Sequence, residues 1–192
     1  MFGLIAPSLI SVLAALVLGG SLDHWSRARM RWWPLALVAL GLQIPLYTWP
    51  VKTWSLVVAA GAGASVATTG LVLLVILRNA VGPLRAAAGL AALGIALNVA
   101  VMLANGGWMP RADDLMPPPV DRGDLAATVS NTAPVSADTR LGWLGDIIPQ
   151  PRWLPMRDLV SAGDMLLSIG AAWYAFAVTR GRMLPHRSRP HG

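Results

Sequence analysis

NVAVMLANGGWMP, residues 98–110, changes character halfway along. It opens as the end of a long apolar run and closes on Asn105, a glycine pair, Trp108 and Pro110. Asn and Gly tolerate the left-handed backbone that ends helices, and Pro110 bars the helix from resuming. The stretch therefore reads as an apolar helix stopping at a membrane face, with a long irregular segment behind it. A helix cap accounts for one glycine and the proline. It does not account for the second glycine, nor for Asn98, two turns back inside the apolar run.

Working outward, five runs approach the roughly 20 apolar residues that cross about 30 Å of hydrocarbon. They are Phe2 to about Gly20, Trp33 to about Trp49, Trp54 to Leu77, Leu84 to about Ala104, and about Asp158 to Val178. The second contains Pro45, which removes a backbone bond and kinks a helix interior. No basic residue precedes the first run and an Arg cluster follows it, the reverse of a secretory signal, so it reads as a retained span. The expected fold is all-α and integral to a membrane, with five transmembrane helices and one long extracytoplasmic loop. Its parts are a four-helix membrane region (1–104), a membrane-hugging loop (105–157), a fifth transmembrane helix (158–179) and a basic tail (180–192).

Composition agrees: 55% of the 192 residues are hydrophobic and only 12% charged. With no cysteine there is no disulfide and no thiolate metal site. The net charge of +6 does not indicate a nucleic-acid partner, because it lies in short segments between apolar runs, where it reads as a topology signal. Arg27, Arg29, Arg31, Arg78, Arg85, Arg180, Arg182, Arg187 and Arg189 all fall on one side of five spans. From Asn105 to Asp158, seven Asp against five Arg leave −2 on the other side. The expected location is the bacterial cytoplasmic (inner) membrane, with the N-terminus outside and the C-terminus in the cytoplasm. The tail is expected to contact anionic lipid. Trp108, Trp143 and Trp153 in the long loop fit either an interfacial belt or a small core within the loop. No regular structure is read for residues 111–138.

NGGWMP, TRLGWLGDIIP and SAGD occur in this order through the C-terminal half. The chain here resembles an uncharacterised family of bacterial multi-pass membrane proteins with N-G-G-x-M-P, R-L-x-x-L-x-D-x-x-P and S-x-G-D elements. The matching residues are Asn105, Gly106, Gly107, Met109, Pro110, Arg140, Leu141, Leu144, Asp146, Pro149, Ser161, Gly163 and Asp164. The resemblance implies a multi-span fold and no assigned activity.

Asp164, read as lying two turns inside the last span, needs a partner, since an ionised carboxylate facing lipid near the bilayer centre costs about 3 kcal/mol or more. Arg140, Arg157, Asn98 and Asn105 are the candidates. It is either a proton or ligand site, or an anchor that accepts hydrogen bonds from the loop, or an Asp that sits at the start of the helix. Asp146, after a glycine, is either a turn-former bonding its own backbone or a second functional acid. Asn105, Arg140, Asp146 and Asp164 are the expected binding residues, converging as an arginine with two carboxylates. Asp164 and Asp146 are the catalytic candidates if there is catalysis. Gln43 and Asn98 read as interhelical hydrogen-bonding groups, and His24 as a solvated loop residue. The small residues of AAGAGASVATTG and AAAGLAALGIA predict tight packing of the third and fourth spans. There is no phosphate-binding glycine loop, H-E-x-x-H or G-x-S-x-G, so no cofactor and no metal are expected. Three function classes remain. The first is a non-enzymatic ligand or lipid binder or an accessory subunit, with membrane lipid or a larger membrane complex as partner. The second is a membrane enzyme on an amphiphilic substrate, and the third is a small transporter.

Overall fold

In a computed structural model, the described residues are 2–27, 31–47, 55–80, 82–115, 132–151 and 158–182. Six helices account for most of them: α1 (Phe2–Val17), α2 (Asp23–Arg27), α3 (Trp33–Tyr47), α4 (Ser55–Asn79), α5 (Arg85–Ala104) and α6 (Ala162–Thr179). Three of these, α4, α5 and α6, are long and apolar enough to cross a membrane. Helices α1 and α3 are apolar but shorter. At about 1.5 Å per residue, the 16 residues of α1 reach only about 24 Å. Helix α3 carries Pro34 in its first turn, where a missing N–H costs nothing, and continues through Pro45 to Tyr47.

The principal helix contacts run in single file: α1 on α6, α6 on α5, α5 on α4, α4 on α3. The closest seam is α5 against α6, not the α4–α5 pair that the small-residue runs predicted. A Cβ on Gly94 would collide with the Gly163 carbonyl, and one on Gly170 with the Ala87 and Ala91 backbone. By contrast, Gly63 and Gly70 on α4 and Gly89 on α5 face open space. Small residues permit close approach, and between helices the tightest such contacts here lie on the α5–α6 face.

Larger apolar side chains gather at the two ends of the file. At one end, which we call the loop end, Val101, Met102, Met109 and Leu144 are buried together, with Val66, Leu97, Val99 and Ala162 packed around them. At the other, Leu84, Ala177 and Val178 are buried beside Trp25 and Tyr174. Between the ends, Leu9, Ile10, Leu13 and Val17 of α1, and Leu37, Val38 and Leu40 of α3, are exposed. Such continuous apolar flanks suit lipid rather than water.

The second end is tied by polar side chains. The Trp25 indole donates to Thr179 Oγ1 at 3.0 Å, and His24 Nδ1 lies 2.9 Å from the Thr179 carbonyl. His24 is therefore packed on the end of α6 and is not the solvated loop residue its sequence context predicted. Arg180 donates to the Leu18 carbonyl, closing α1 onto α6. Asn79 accepts from the Arg31 amide and donates to the Arg31 carbonyl.

At the loop end, β1 (Met109–Arg111) pairs in parallel with β2 (Thr132–Pro134). Next, β3 (Ile148–Pro149) pairs antiparallel with β4 (Leu159–Val160). Arg111, Asp113–Leu115 and Thr132–Pro134 thus have regular structure within the segment for which none was read. The proline run at 117–119 lies outside the described residues, as do Trp153 and Arg157. Trp143 is exposed, so the loop core is built on Met109 and Leu144 instead.

Candidate functional site

The site is assembled where α5 ends and α6 begins. Asn105 caps α5, its amide donating to the Met102 carbonyl. Gly107 N follows, donating to that carbonyl at 2.7 Å. Gly106 and Gly107 have φ of +66° and +94°, a left-handed backbone that glycine adopts without steric cost. The second glycine is also explained by α4, since a Cβ at 107 would lie 2.7 Å from the Ala62 Cβ.

The Asn105 side chain clasps the main chain of Arg140. Its Oδ1 accepts from the Arg140 amide at 2.9 Å, and its Nδ2 donates to the Arg140 carbonyl at 2.8 Å. The same Nδ2 lies 2.8 Å from the Val101 carbonyl. The two sequence elements NGGWMP and TRLGWLGDIIP are thus joined through backbone atoms of Arg140. Next to this clasp Leu141 has φ of +54°, a left-handed conformation costly for a branched side chain.

Helix α6 starts at Ala162, four residues after the apolar run begins, because Asp158, Leu159 and Val160 are drawn into the β3–β4 pairing. Asp164 is accordingly the third residue of the helix and not two turns inside it. Ser161 is the N-cap: Asp164 N donates to Ser161 Oγ at 2.9 Å, and Ser161 N to Asp164 Oδ2 at 3.3 Å. This is a reciprocal capping box, satisfying two donors that a helix start leaves open. The remaining carboxylate oxygen, Oδ1, accepts from Asn98 Nδ2 at 2.7 Å. Asn98 Oδ1 in turn accepts from the Ser161 hydroxyl at 2.9 Å. Asn98 thus makes the interhelical bonds its sequence position predicted, and the three side chains form a closed ring. Gly163 makes room for it, since a Cβ there would collide with Asn98 Oδ1.

Asp146 is held differently. Its amide donates to the Pro110 carbonyl at 2.8 Å, and its carbonyl accepts from Ala112 N at 3.1 Å. It therefore adds one parallel bridge to the edge of β1 opposite Arg111. Gly145 allows this approach, because a Cβ there would strike the Pro110 carbonyl. Asp146 Oδ1 is sealed from solvent and has no hydrogen-bond partner. Burial, with the nearby Asp164 carboxylate, pushes the Asp146 carboxyl up to about 7, against the opposing pull of Arg111.

Arg111 itself pairs with Asp158 at 2.8 Å. The guanidinium beside the buried carboxyl is therefore that of Arg111, whereas sequence reading placed Arg140 there. Neither Arg111 nor Asp158 was singled out from the sequence. The missed signal for the helix start was legible, since S-x-x-D before an apolar run is a capping-box pattern.

Across β1 from Asp146 lies a cleft of about 220 Å³, lined by Asn105, Trp108, Pro110, Pro134, Ser136 and Asp138 among others. Among the described residues no three His, Asp, Glu or Cys side chains are placed to hold a metal ion.

Fold and site together define a predominantly helical protein with membrane-compatible helices, capped at one end by a small strand-and-turn assembly. Its sequence matches the family of unknown function DUF5317 over residues 27–176, so the chain belongs to that family. No curated protein and no solved structure matches it.

Proposed function

We propose that this is a five-span protein of the bacterial cytoplasmic membrane, N-terminus outside, whose 105–157 loop caps the outer face. Residues 1–104 and 158–179 form its membrane region, and 180–192 its cytoplasmic tail. In this reading it is non-enzymatic and holds an amphiphilic ligand such as a membrane lipid, or a subunit of a larger membrane complex, at the outer polar cluster. One observation carries the reading: apart from Asp146, the polar side chains that build the loop end are used on one another and on the backbone. Asp164, Asn98 and Ser161 form a closed ring, Asn105 holds Arg140, and Arg111 holds Asp158. That pattern suits a fixed frame around the cleft beside Trp108 and Asp138. An indole and a carboxylate at the headgroup level fit an amphiphile's polar end.

A second reading, an enzyme using Asp164 and Asp146 on an amphiphilic substrate, draws on the raised Asp146 carboxyl, which suits proton transfer near neutrality. Against it, Asp164 is already engaged through both oxygens and Asp146 Oδ1 is shut away from solvent. A transporter would need a polar path past Gln43 or Asn98, and the Asn98 amide is tied within the ring.

The test is purification in lipid-retaining polymer particles, with mass spectrometry of bound lipids and proteins. Binding at the cleft predicts a retained lipid or subunit that is depleted by Trp108→Ala with Asp138→Asn. An undepleted or absent companion would overturn the reading. A reporter fused after residue 182 tests the topology, being active only in the cytoplasm if the orientation holds.

A further inference from the structure

The segment before β3 meets the edge of β1 at Asp146. Asp146 is fixed by its own amide and carbonyl to Pro110 and Ala112 on the edge of β1. Because Gly145 has no Cβ to strike the Pro110 carbonyl, Asp146 can sit this close to β1. Its Oδ1 meets neither water nor a hydrogen-bond donor. An ion in such a place carries its full desolvation cost, whereas the neutral acid carries much less.

The charges facing it reinforce the preference. Asp164 at the start of α6 and Asp158 before β4 both repel an Asp146 anion; Arg111 of β1 and, more weakly, the chain's amino terminus attract it. Arg111, the nearest counter-ion, is already paired with Asp158 at 2.8 Å.

We infer that Asp146 is a proton-operated latch: protonated, it lets the Arg140–Gln150 segment dock on β1, and ionised, it releases that segment. The direction follows from linkage. An undocked aspartate has the ordinary value of 3.8 and the docked one a value of about 7. Below about pH 4 both states hold the proton and docking is at its strongest. Between about 4 and 7 only the docked state holds it, so docking weakens steadily as pH rises, and levels off above about 7. Pro110, whose carbonyl receives the Asp146 amide, also lines the cleft. Release of the latch therefore loosens one wall of that cleft. The latch itself depends on no ligand there.

Hydrogen exchange on the full chain in phospholipid nanodiscs tests this directly, through the amides of Asp146 and Ala112 that make the two bridge bonds. Rates are expressed relative to an unstructured amide at the same pH, which removes the ordinary base catalysis of exchange. Protection of these two amides is expected to fall about thirtyfold between pH 5.5 and 8.5, while amides in the middle of α5 stay constant. Asp146→Asn should remove the pH dependence, leaving the bridge equally protected at both values. Asp158→Asn deletes a repelling carboxylate, so the midpoint should move to lower pH. Constant protection in the wild type, a dependence that survives in Asp146→Asn, or an unmoved midpoint in Asp158→Asn would each overturn the latch. The Asp158 variant decides the matter alone if Asp146→Asn does not fold.

Discussion

Asp164 and Asp146 carry the same carboxyl group at the same end of the molecule, and the chain surrounds them in opposite ways. At the α5–α6 seam, Asp164 has donors on both oxygens: Asn98 on one, the Ser161 amide on the other. On the strand assembly, Asp146 has one oxygen sealed from solvent and lacking any donor. A buried polar group that is fully bonded rigidifies its surroundings, whereas one left short is a reservoir of strain. The comparison separates a fastening from a sensor: the seam is built to stay shut, and the strand assembly to respond. The two are close enough for the Asp164 charge to raise the Asp146 carboxyl, so the fastening helps to set the sensor.

The largest expected effect lies in the seam. Gly163→Ala puts a methyl group into Asn98 Oδ1 and the Gly94 carbonyl. The neighbours are backbone and a ring-bonded amide, neither of which can yield. Overpacking of this kind costs about 3 kcal/mol, and the Asn98–Ser161–Asp164 ring opens with it. The folded yield after mild heating, read by fluorescence-detected gel filtration, should collapse. Gly89→Ala on the open face of α5, the partner helix, should leave it unchanged or higher. Equal behaviour of the two would remove the seam from the argument.

Next comes the ring itself. Asp164→Ala deprives Ser161 N and Asn98 Nδ2 of their acceptor. Leaving a part-buried amide unpaired costs about 1–3 kcal/mol, and losing a helix cap about 1 kcal/mol. Asn98→Ala should destabilise by a similar amount, and the double variant by clearly less than the sum, since both remove the same bond. Strict additivity in thermal denaturation would show that the two side chains do not act as one unit.

This part of the molecule was only half legible in the sequence. Each of the five apolar runs holds a helix within a few residues of its expected bounds, three of them long enough to cross a membrane, because hydropathy over twenty residues needs no knowledge of neighbours. The fifth was begun four residues early: Asp158-Leu159-Val160 is apolar enough to extend a span, and only its pairing with Ile148–Pro149 takes it out. Asn105 and Arg140 were expected to meet, and they do, but through the Arg140 backbone. A motif reports which residues matter and not which of their atoms are used. Asp146 and Asp164 were expected together and lie within electrostatic reach. Arg111 escaped notice because its partner stands 47 residues away, a separation over which no local pattern connects them.

The comparison sharpens further with pH. Asp146 has a docked value of about 7 against an ordinary 3.8. A carboxyl raised on folding adds stability that is complete below about pH 4 and is lost as pH rises through about 7. The melting temperature in detergent should therefore fall over that interval and flatten above it. Asp146→Asn should flatten the whole profile, at the expense of a constant loss, since the new amide finds a pocket without a prepared acceptor. A wild-type profile that climbs between pH 5 and 7 would have the wrong sign and would break the contrast between the two aspartates.

The smallest effect belongs to the ion pair joining the two regions. Arg111 is mostly covered but Asp158 is about two-fifths exposed, with side-chain accessibilities of 17% and 41%. Solvent screens such a pair, and its contribution is about 0.5–1 kcal/mol. Asp158 also accepts from the Leu159 amide at 2.9 Å, a bond that asparagine keeps. Asp158→Asn should therefore lower the melting temperature only slightly at pH 5.5. At pH 8.5 the loss should vanish or reverse, because an ionised Asp146 then keeps the attraction of Arg111 with one repelling carboxylate fewer. A penalty that is equal at both pH values would mean that Arg111 does not communicate with Asp146, and that the guanidinium serves the strand pairing alone.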